Sequence, residues 1–461
     1  MTKKKTVDMT NGSPFKHIVG FMLPTLVGLI FQQLYSMVDM VIIGRYLGED
    51  SLAAVGSTGA INFMIIGFCM GLCTGFAIPI AQKFGAKDFV SMRRFVANSM
   101  WTAGFLGVVI AIIVYIFSMD ILELLNTPSN IIDEACIYIS ILFIGIPVTI
   151  MYNLAAGITR SLGDSRTPVY FLLISSVLNI GLDFLMVESM GIAGPAWATV
   201  ISQLVSGLLC IRYMKHKFDI LSLKKEDLKL DFNYVTKLLY VGVPMGLQYS
   251  ITAIGSVVLQ SAVNILGSTY VASSAAAIKI SIFFSAPFDA LGSTAATYSG
   301  QNMGAGEYDR INKGIKWCVI IGSVYSLVAF AILSFFGGNL AALFLEKPSE
   351  LLIQNTSMYL RYNAMFYVWL ALVNIIRFSI QGMGYSVLAI MAGVFEMIAR
   401  SLAGSVLVPA YGYIAACLAS PLAWILADVF LIAAYFVIMR RLKNRDSIAE
   451  SRIRTIKAVV R

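Results

Sequence analysis

Charge is what this chain has least of. Only 13% of its 461 residues are Asp, Glu, Lys or Arg, about half the share in an ordinary soluble domain, while 58% are hydrophobic and mean hydropathy is +0.80. A soluble enzyme and a disordered tail are both excluded. Histidine is scarcer still: His17 and His216 lie at the edges of apolar stretches, so no His-rich metal or acid–base pattern reaches the interior. The six cysteines (Cys69, Cys73, Cys136, Cys210, Cys318, Cys417) all fall within apolar stretches, where a free thiol acts as a small hydrophobe, and they imply no disulfide framework. Cys69 and Cys73 share a helix face, yet nothing nearby completes a tetrahedral metal site. There is no phosphate-binding loop. The glycine-rich GFCMGLCTG at 67–75 lacks the flanking loop and helix start and reads as close helix packing, so direct ATP hydrolysis is not the energy source.

What is present is long apolar runs. A helix needs about 20 apolar residues to cross a hydrocarbon layer about 30 Å thick. The chain divides into twelve such runs, at 17–43, 52–80, 95–118, 132–157, 167–187, 191–214, 234–263, 269–300, 314–336, 352–376, 386–409 and 411–439. The net charge of +9 follows this division. Most of the 34 basic residues fall in the N-tail, the even-numbered loops and the C-tail, and the odd-numbered loops hold only Arg45 and Lys347. That is the positive-inside bias for an even number of spans, and it places both ends in the cytoplasm of a cell whose plasma membrane the chain crosses. The positive charge reports topology and not a nucleic-acid partner. The start, MTKKKTVD, runs into an apolar stretch longer than a signal peptide's core with no cleavage pattern behind it, so the first segment is expected to stay.

The second half repeats the first. A shift of 219 residues lays AQKFGAKD at 81–88 over GQNMGAGE at 300–307, so Gln82, Gly85 and Ala86 fall on Gln301, Gly304 and Ala305. A shift of 221 carries Asn153, Gly163, Ser165, Gly191 and Ala198 onto Asn374, Gly384, Ser386, Gly412 and Ala419, and Pro24 meets Pro244 at 220. Equivalent points are six spans apart, so both halves enter the membrane the same way round, as in transporters built from parallel repeats. The expected organisation is an N-lobe at 1–213, a cytoplasmic linker at 214–232, a C-lobe at 233–440 and a basic tail at 441–461, either a short surface helix or frayed. The linker's lysines fix topology; contact with anionic headgroups is the alternative.

An ionisable side chain at bilayer depth costs about 2.5–3.5 kcal/mol even on lenient insertion scales, so each needs a partner or a task. Seven qualify: Asp39, Asp183, Lys279, Asp289, Glu396, Arg400 and Asp428. Gln32 lies two helical turns before Asp39 on the same face, and Asn179 stands four residues before Asp183. Two carboxylates and an amide from two helices of one lobe form a hard-oxygen site for H+ or Na+. Glu396 and Arg400, four apart, can neutralise each other. Lys279 and Asp289, ten apart, are expected to seek partners on other helices, and Lys279 is a candidate cavity residue. No role emerges for Asp428.

PTLVGLIFQQLYSMVDMVIIGRYLG at 24–48, AQKFGAKD, RSLGDSRTPV at 160–169, LNIGLDF at 178–184 and GIAGPAWATVIS at 191–202 together resemble the multidrug and toxic compound extrusion (MATE) transporters, nearer the DinF-like than the NorM branch. The resemblance covers nearly the whole chain. It implies an all-α membrane fold of twelve helices in two six-helix lobes, and a cation site on helices 1, 5 and 6 that falls here on Asp39, Asn179, Asp183 and Thr199. It also implies a helix 1 that bends at Pro24 and a substrate cavity reached by Gln32, with Asn153, Lys279, Glu396 and Arg400 as further candidates. The acids that NorM-like members carry on helices 7 and 10 have no counterpart in these stretches. The implied activity is secondary antiport without a cofactor: amphipathic, often cationic, small organic compounds leave as H+ or Na+ enters. The rival reading is a flippase for lipid-linked saccharides, which resembles this architecture but has more spans and a more basic cavity. A monomer is expected, since two lobes already supply the symmetry a dimer would provide.

Overall fold

The structure is a computed structural model that describes residues 6–125, 127–344 and 349–459; Lys347 lies outside them. Among the described residues, ten helices are long and apolar enough to cross a bilayer, and two bent pairs bring the spans to twelve. In order they are span 1 (Pro14–Tyr46), 2 (Glu49–Gly85), 3 (Phe89–Ile116), 4 (Ile132–Ile144 and Ile146–Ser161), 5 (Arg166–Met190) and 6 (Ala193–Lys217). Then follow span 7 (Phe232–Leu266), 8 (Ser268–Ala305), 9 (Tyr308–Phe344), 10 (Glu350–Met365 and Tyr367–Gly382), 11 (Ser386–Tyr411) and 12 (Tyr413–Val459). Every expected apolar run is a span, and the basic tail continues span 12 as helix.

Local chemistry sets the ends, and it does so twice. Four turns with positive φ recur at the repeat spacing: Gly48 and Gly267, Lys87 and Gly306, Gly163 and Gly384, Gly191 and Gly412. Glycine takes that conformation without a Cβ penalty; Lys87, at φ 57°, is the one non-glycine among them. Spans 4 and 10 bend by 46° and 52° at equivalent places, Gly145 and Phe366. Pro147 at the restart explains the first bend, since proline has no N–H to continue the ladder. The second has no such residue.

The apolar core splits into two main clusters, and the split does not follow the chain at its first helices. Met9, Ile18, Phe21 and Met22 pack into the cluster of spans 8 to 12, with Phe15 stacked on Trp317 of span 9. Beyond Pro24, Leu26 and Leu29 still pack against that cluster while Gly28 approaches Val169 and Leu172 of span 5 in the helix's own half. Span 7 does the reverse: Leu238 lies in the core of spans 2 to 6 and Tyr234 packs edge-on against Phe95, before Pro244 and the contact with span 11. The starts of the two lead helices are exchanged.

The face that carries these starts is shut. Span 2 runs along span 7 with Gly71 against the Met245 carbonyl and Gly75 against the Gly242 Cα. Cβ atoms added at Gly85 and Gly304 would sit 1.9 Å from the Gln301 carbonyl oxygen and 1.8 Å from that of Gln82, so only glycine permits this approach. The glutamines cross the gap in opposite directions. Gln82 Nε2 donates to the Gly382 carbonyl at the end of span 10 (2.9 Å), and Gln301 Nε2 to the Ser161 carbonyl at the end of span 4 (2.8 Å). An N-terminal strap lies over them: Val7 N–H donates to Leu162, Met9 N–H to Gln301 Oε1, and Arg310 donates to the carbonyls of Met9 and Gly12. At the other end of span 2, Gly56 and Gly59 meet no atom within 4 Å.

The 214–232 connection is docked along span 3. Arg93 Nε donates to Asp227 (3.0 Å), Trp101 Nε1 to the Leu228 carbonyl, and Asn98 Oδ1 accepts from Asp231 N–H. Its lysines 224, 225 and 229 remain exposed, while Asp227 is buried.

Candidate functional site

In the half built from spans 1 to 6, Asp39 and Asp183 sit seven residues before the ends of spans 1 and 5, toward the helix ends away from the shut face. The span 1–span 5 contact brings their carboxyl groups against each other. Asn179 follows one turn below Asp183, and its amide reaches Thr199 Oγ1 on span 6 (3.5 Å), whose hydroxyl in turn donates to the Pro195 carbonyl. Asp183 is fully buried and Asn179 nearly so. The notable feature is what these groups lack: Asp39 Oδ1, Asn179 Oδ1 and both Asp183 oxygens are buried without a hydrogen-bond donor among the described residues. Buried acceptors normally find a donor, and each orphan costs about 1–3 kcal/mol. An oxygen-lined pocket short of positive charge is the chemistry that receives a proton or a hard cation. Two tyrosines complete it. Tyr35, one turn before Asp39, and Tyr138 on span 4 stand within electrostatic reach of the acids. Sequence reading passed over both because aromatic residues are common throughout these runs.

The remaining candidates scatter. Gln32 is half-buried on the Asp39 face. Asn153 turns its amide back to the Thr149 carbonyl (2.8 Å), as its repeat mate Asn374 does to Leu370, so both engage their own helix. Lys279 and Asp289 are exposed on span 8 and, among the described residues, form no ion pair. Glu396 and Arg400 are buried in the other half and do pair (3.4 Å), but Glu396 is held more closely by Arg377 of span 10. Asp428 of span 12 is buried and, among the described residues, neither of its oxygens is hydrogen-bonded. Two arginines reach further in than the apolar runs indicated. Arg377 and Arg160 fall just outside runs ending at 376 and 157, yet their helices continue to Gly382 and Ser161. The basic interior residues are therefore more numerous than Lys279 and Arg400.

A helical bundle of ten to twelve candidate spans, with unsatisfied buried oxygens clustered in one half, has the build of a membrane transporter. A profile of the MatE family matches residues 24–185 and 244–404, so the chain belongs to the MATE transporter family. Among relatives, the probable multidrug resistance protein YoeA of Bacillus subtilis strain 168 is 31% identical, over 72% of this chain and 74% of its own length. YpnP of the same organism, also described as a probable multidrug resistance protein, is 29% identical over 79% and 81%. The solved outward-facing conformation of a multidrug resistance MATE family transporter of the MOP superfamily superposes with a TM-score of 0.89, covering 96% of this chain and all of that one, at 22% identity. At that identity the likeness speaks of the fold.

Proposed function

We propose that the chain is a secondary antiporter of the plasma membrane, with the shut face in the cytoplasm, that exports amphipathic and often cationic organic compounds in exchange for H+ or Na+. The observation that carries this is the set of four donorless buried oxygens on Asp39, Asn179 and Asp183. A cation arriving from outside removes their mutual repulsion. The contact of span 1 with span 5 then tightens, and the lobes change their relative stability in the two access states, which is the differential affinity that coupling requires. Pro24 is the hinge in this reading, since it interrupts the backbone ladder of span 1 between Phe21 and Met22, which pack in the other half's core, and Asp39. The DinF-like assignment draws support from spans 7 and 10, where Glu350 at the start of span 10 is the one acid. The flippase reading needs a strongly basic cavity, and here Glu396 neutralises Arg377 and pairs with Arg400, which leaves Arg160 and Lys279 as the deep basic residues without an ion pair among the described residues.

The test is ethidium uptake into inverted vesicles with a pH or a sodium gradient imposed separately. One gradient drives accumulation, and Asp39→Asn or Asp183→Asn reduces it at least about 10-fold, the effect of losing one charged coupling contact. Full ion-driven transport in both variants at wild-type expression would end this mechanism.

A further inference from the structure

Arg160 occupies an unusual position. It is the penultimate residue of span 4, half-buried, and lines a cleft between the lobes together with Thr74 of span 2, its neighbour Ser161, and Ser293 and Thr297 of span 8. The cleft lies on the open side of the crossed glutamines, so it is the floor of the space between the lobes. Among the described residues the Arg160 guanidinium has no ion pair and no hydrogen-bond acceptor. Its electrostatic neighbours are Tyr152, Tyr249, Cys73 and Cys210, none of them an acid. The other two deep arginines differ, since Arg377 and Arg400 both hold Glu396.

The repeat sharpens the point. Thr74 and Ser293 are equivalent positions, as are Ser161 and Gly382, so the floor is built alike from both halves. The equivalent of Arg160 is Gln381, and Gln381 is already engaged, donating to Gln248. The positive charge is one-sided and free. Opposite it, Ser293 and Thr297 stand four residues apart on one face of span 8, and neither hydroxyl has a partner among the described residues. The guanidinium lines the cleft from one lobe and the two hydroxyls from the other, and none of the three has a hydrogen-bond partner among the described residues. Donors converging from two lobes are the complement of an oxyanion, which a planar guanidinium binds with both oxygens.

We propose that Arg160, Ser293 and Thr297 form an oxyanion subsite at the floor of the central cleft, which receives a carboxylate or phosphate carried by an amphipathic solute. The preferred cargo is then zwitterionic or anionic at one end, with its cationic or apolar part directed toward the open side. The subsite exists only while the lobes are closed at this face, because its donors come from both. This rests on the export reading above and narrows its substrate class.

Rhodamine B and rhodamine 6G share a cationic xanthene scaffold, but the first has a free carboxylate and the second an ester. Their dissociation constants for the purified protein, read by fluorescence anisotropy, give a ratio that cancels general damage. Wild type binds rhodamine B more tightly, and Arg160→Gln lowers the preference at least about 10-fold, the loss expected for a charge-assisted contact. Arg160→Lys retains more of it. The double variant Ser293→Ala, Thr297→Val lowers it too and carries the test if Arg160→Gln does not fold. An unchanged ratio in folded Arg160→Gln overturns the proposal, as does wild type that binds rhodamine 6G and not rhodamine B. Wild type that binds neither dye sinks the export reading together with this one. Selective displacement of rhodamine B by phosphatidylglycerol would assign the oxyanion to a lipid headgroup and overturn the solute.

Discussion

The two crossed glutamines are equivalent by repeat and unequal in environment, and that inequality can be measured. Gln82 makes one inter-lobe bond and is half-buried, so in Gln82→Ala water reaches the freed Gly382 carbonyl and the closed face loses about 0.5–1.5 kcal/mol. Gln301 is fully buried and makes two, donating to Ser161 and accepting from Met9 N–H. Gln301→Ala orphans both partners at about 1–3 kcal/mol each, for a total of about 2–6 kcal/mol against this state. Each 1.4 kcal/mol is a tenfold change in population, so at the middle of the two ranges Gln301→Ala should open the face about 100-fold more than Gln82→Ala does. Spin labels at Arg166 and Val387, exposed and equivalent at the starts of spans 5 and 11, report the separation by pulsed dipolar spectroscopy. The background needs only Cys136→Ser, because the other five cysteines are buried. A longer-distance population that grows strongly for Gln301→Ala and weakly for Gln82→Ala is expected. Equal shifts, or none, would show that the bonds do not hold the face closed.

Glu396→Gln should be among the most destabilising single changes, by about 3–5 kcal/mol, because it strips the counter-charge from Arg377 and Arg400 in a buried site; a thermal melt in detergent tests this, and an unchanged midpoint would contradict it. Lys87→Gly should raise the same midpoint slightly, by about 0.5–1 kcal/mol of stability, since it relieves a left-handed backbone that the equivalent Gly306 adopts freely. Burial of Asp227 works against its charged form, but the Lys224 N–H and the Arg93 guanidinium outweigh it and hold the carboxyl below the ordinary range. A lowered folded-state value means that the contribution is complete above the ordinary carboxylate pKa and disappears as pH falls through the folded one. Limited proteolysis of the linker should therefore accelerate only in strongly acidic buffer, and Asp227→Asn should remove that dependence.

The spans were readable because hydropathy is a one-dimensional property, and the acids Asp39 and Asp183 were readable because charge inside an apolar run is conspicuous. The same criterion concealed Arg160 and Arg377. An apolar window stops at an arginine, whereas the helix continues past it when the guanidinium has somewhere to go. The bend in span 10 left no trace, since Phe366 is as apolar as its neighbours and no proline stands at the break. The strap was unreadable for another reason: its bonds join backbone to a distant carbonyl at Leu162 and to side chains almost 300 residues away, and no local pattern encodes them.

That strap gives the chain's beginning a mechanical office. Val7 is fastened to one half, Met9 and Gly12 to the other, so the segment must unpeel whenever the face beneath it parts. Anything fused ahead of it pulls on the same thread. A bulky N-terminal tag loads the moving seam with its drag and its own affinities.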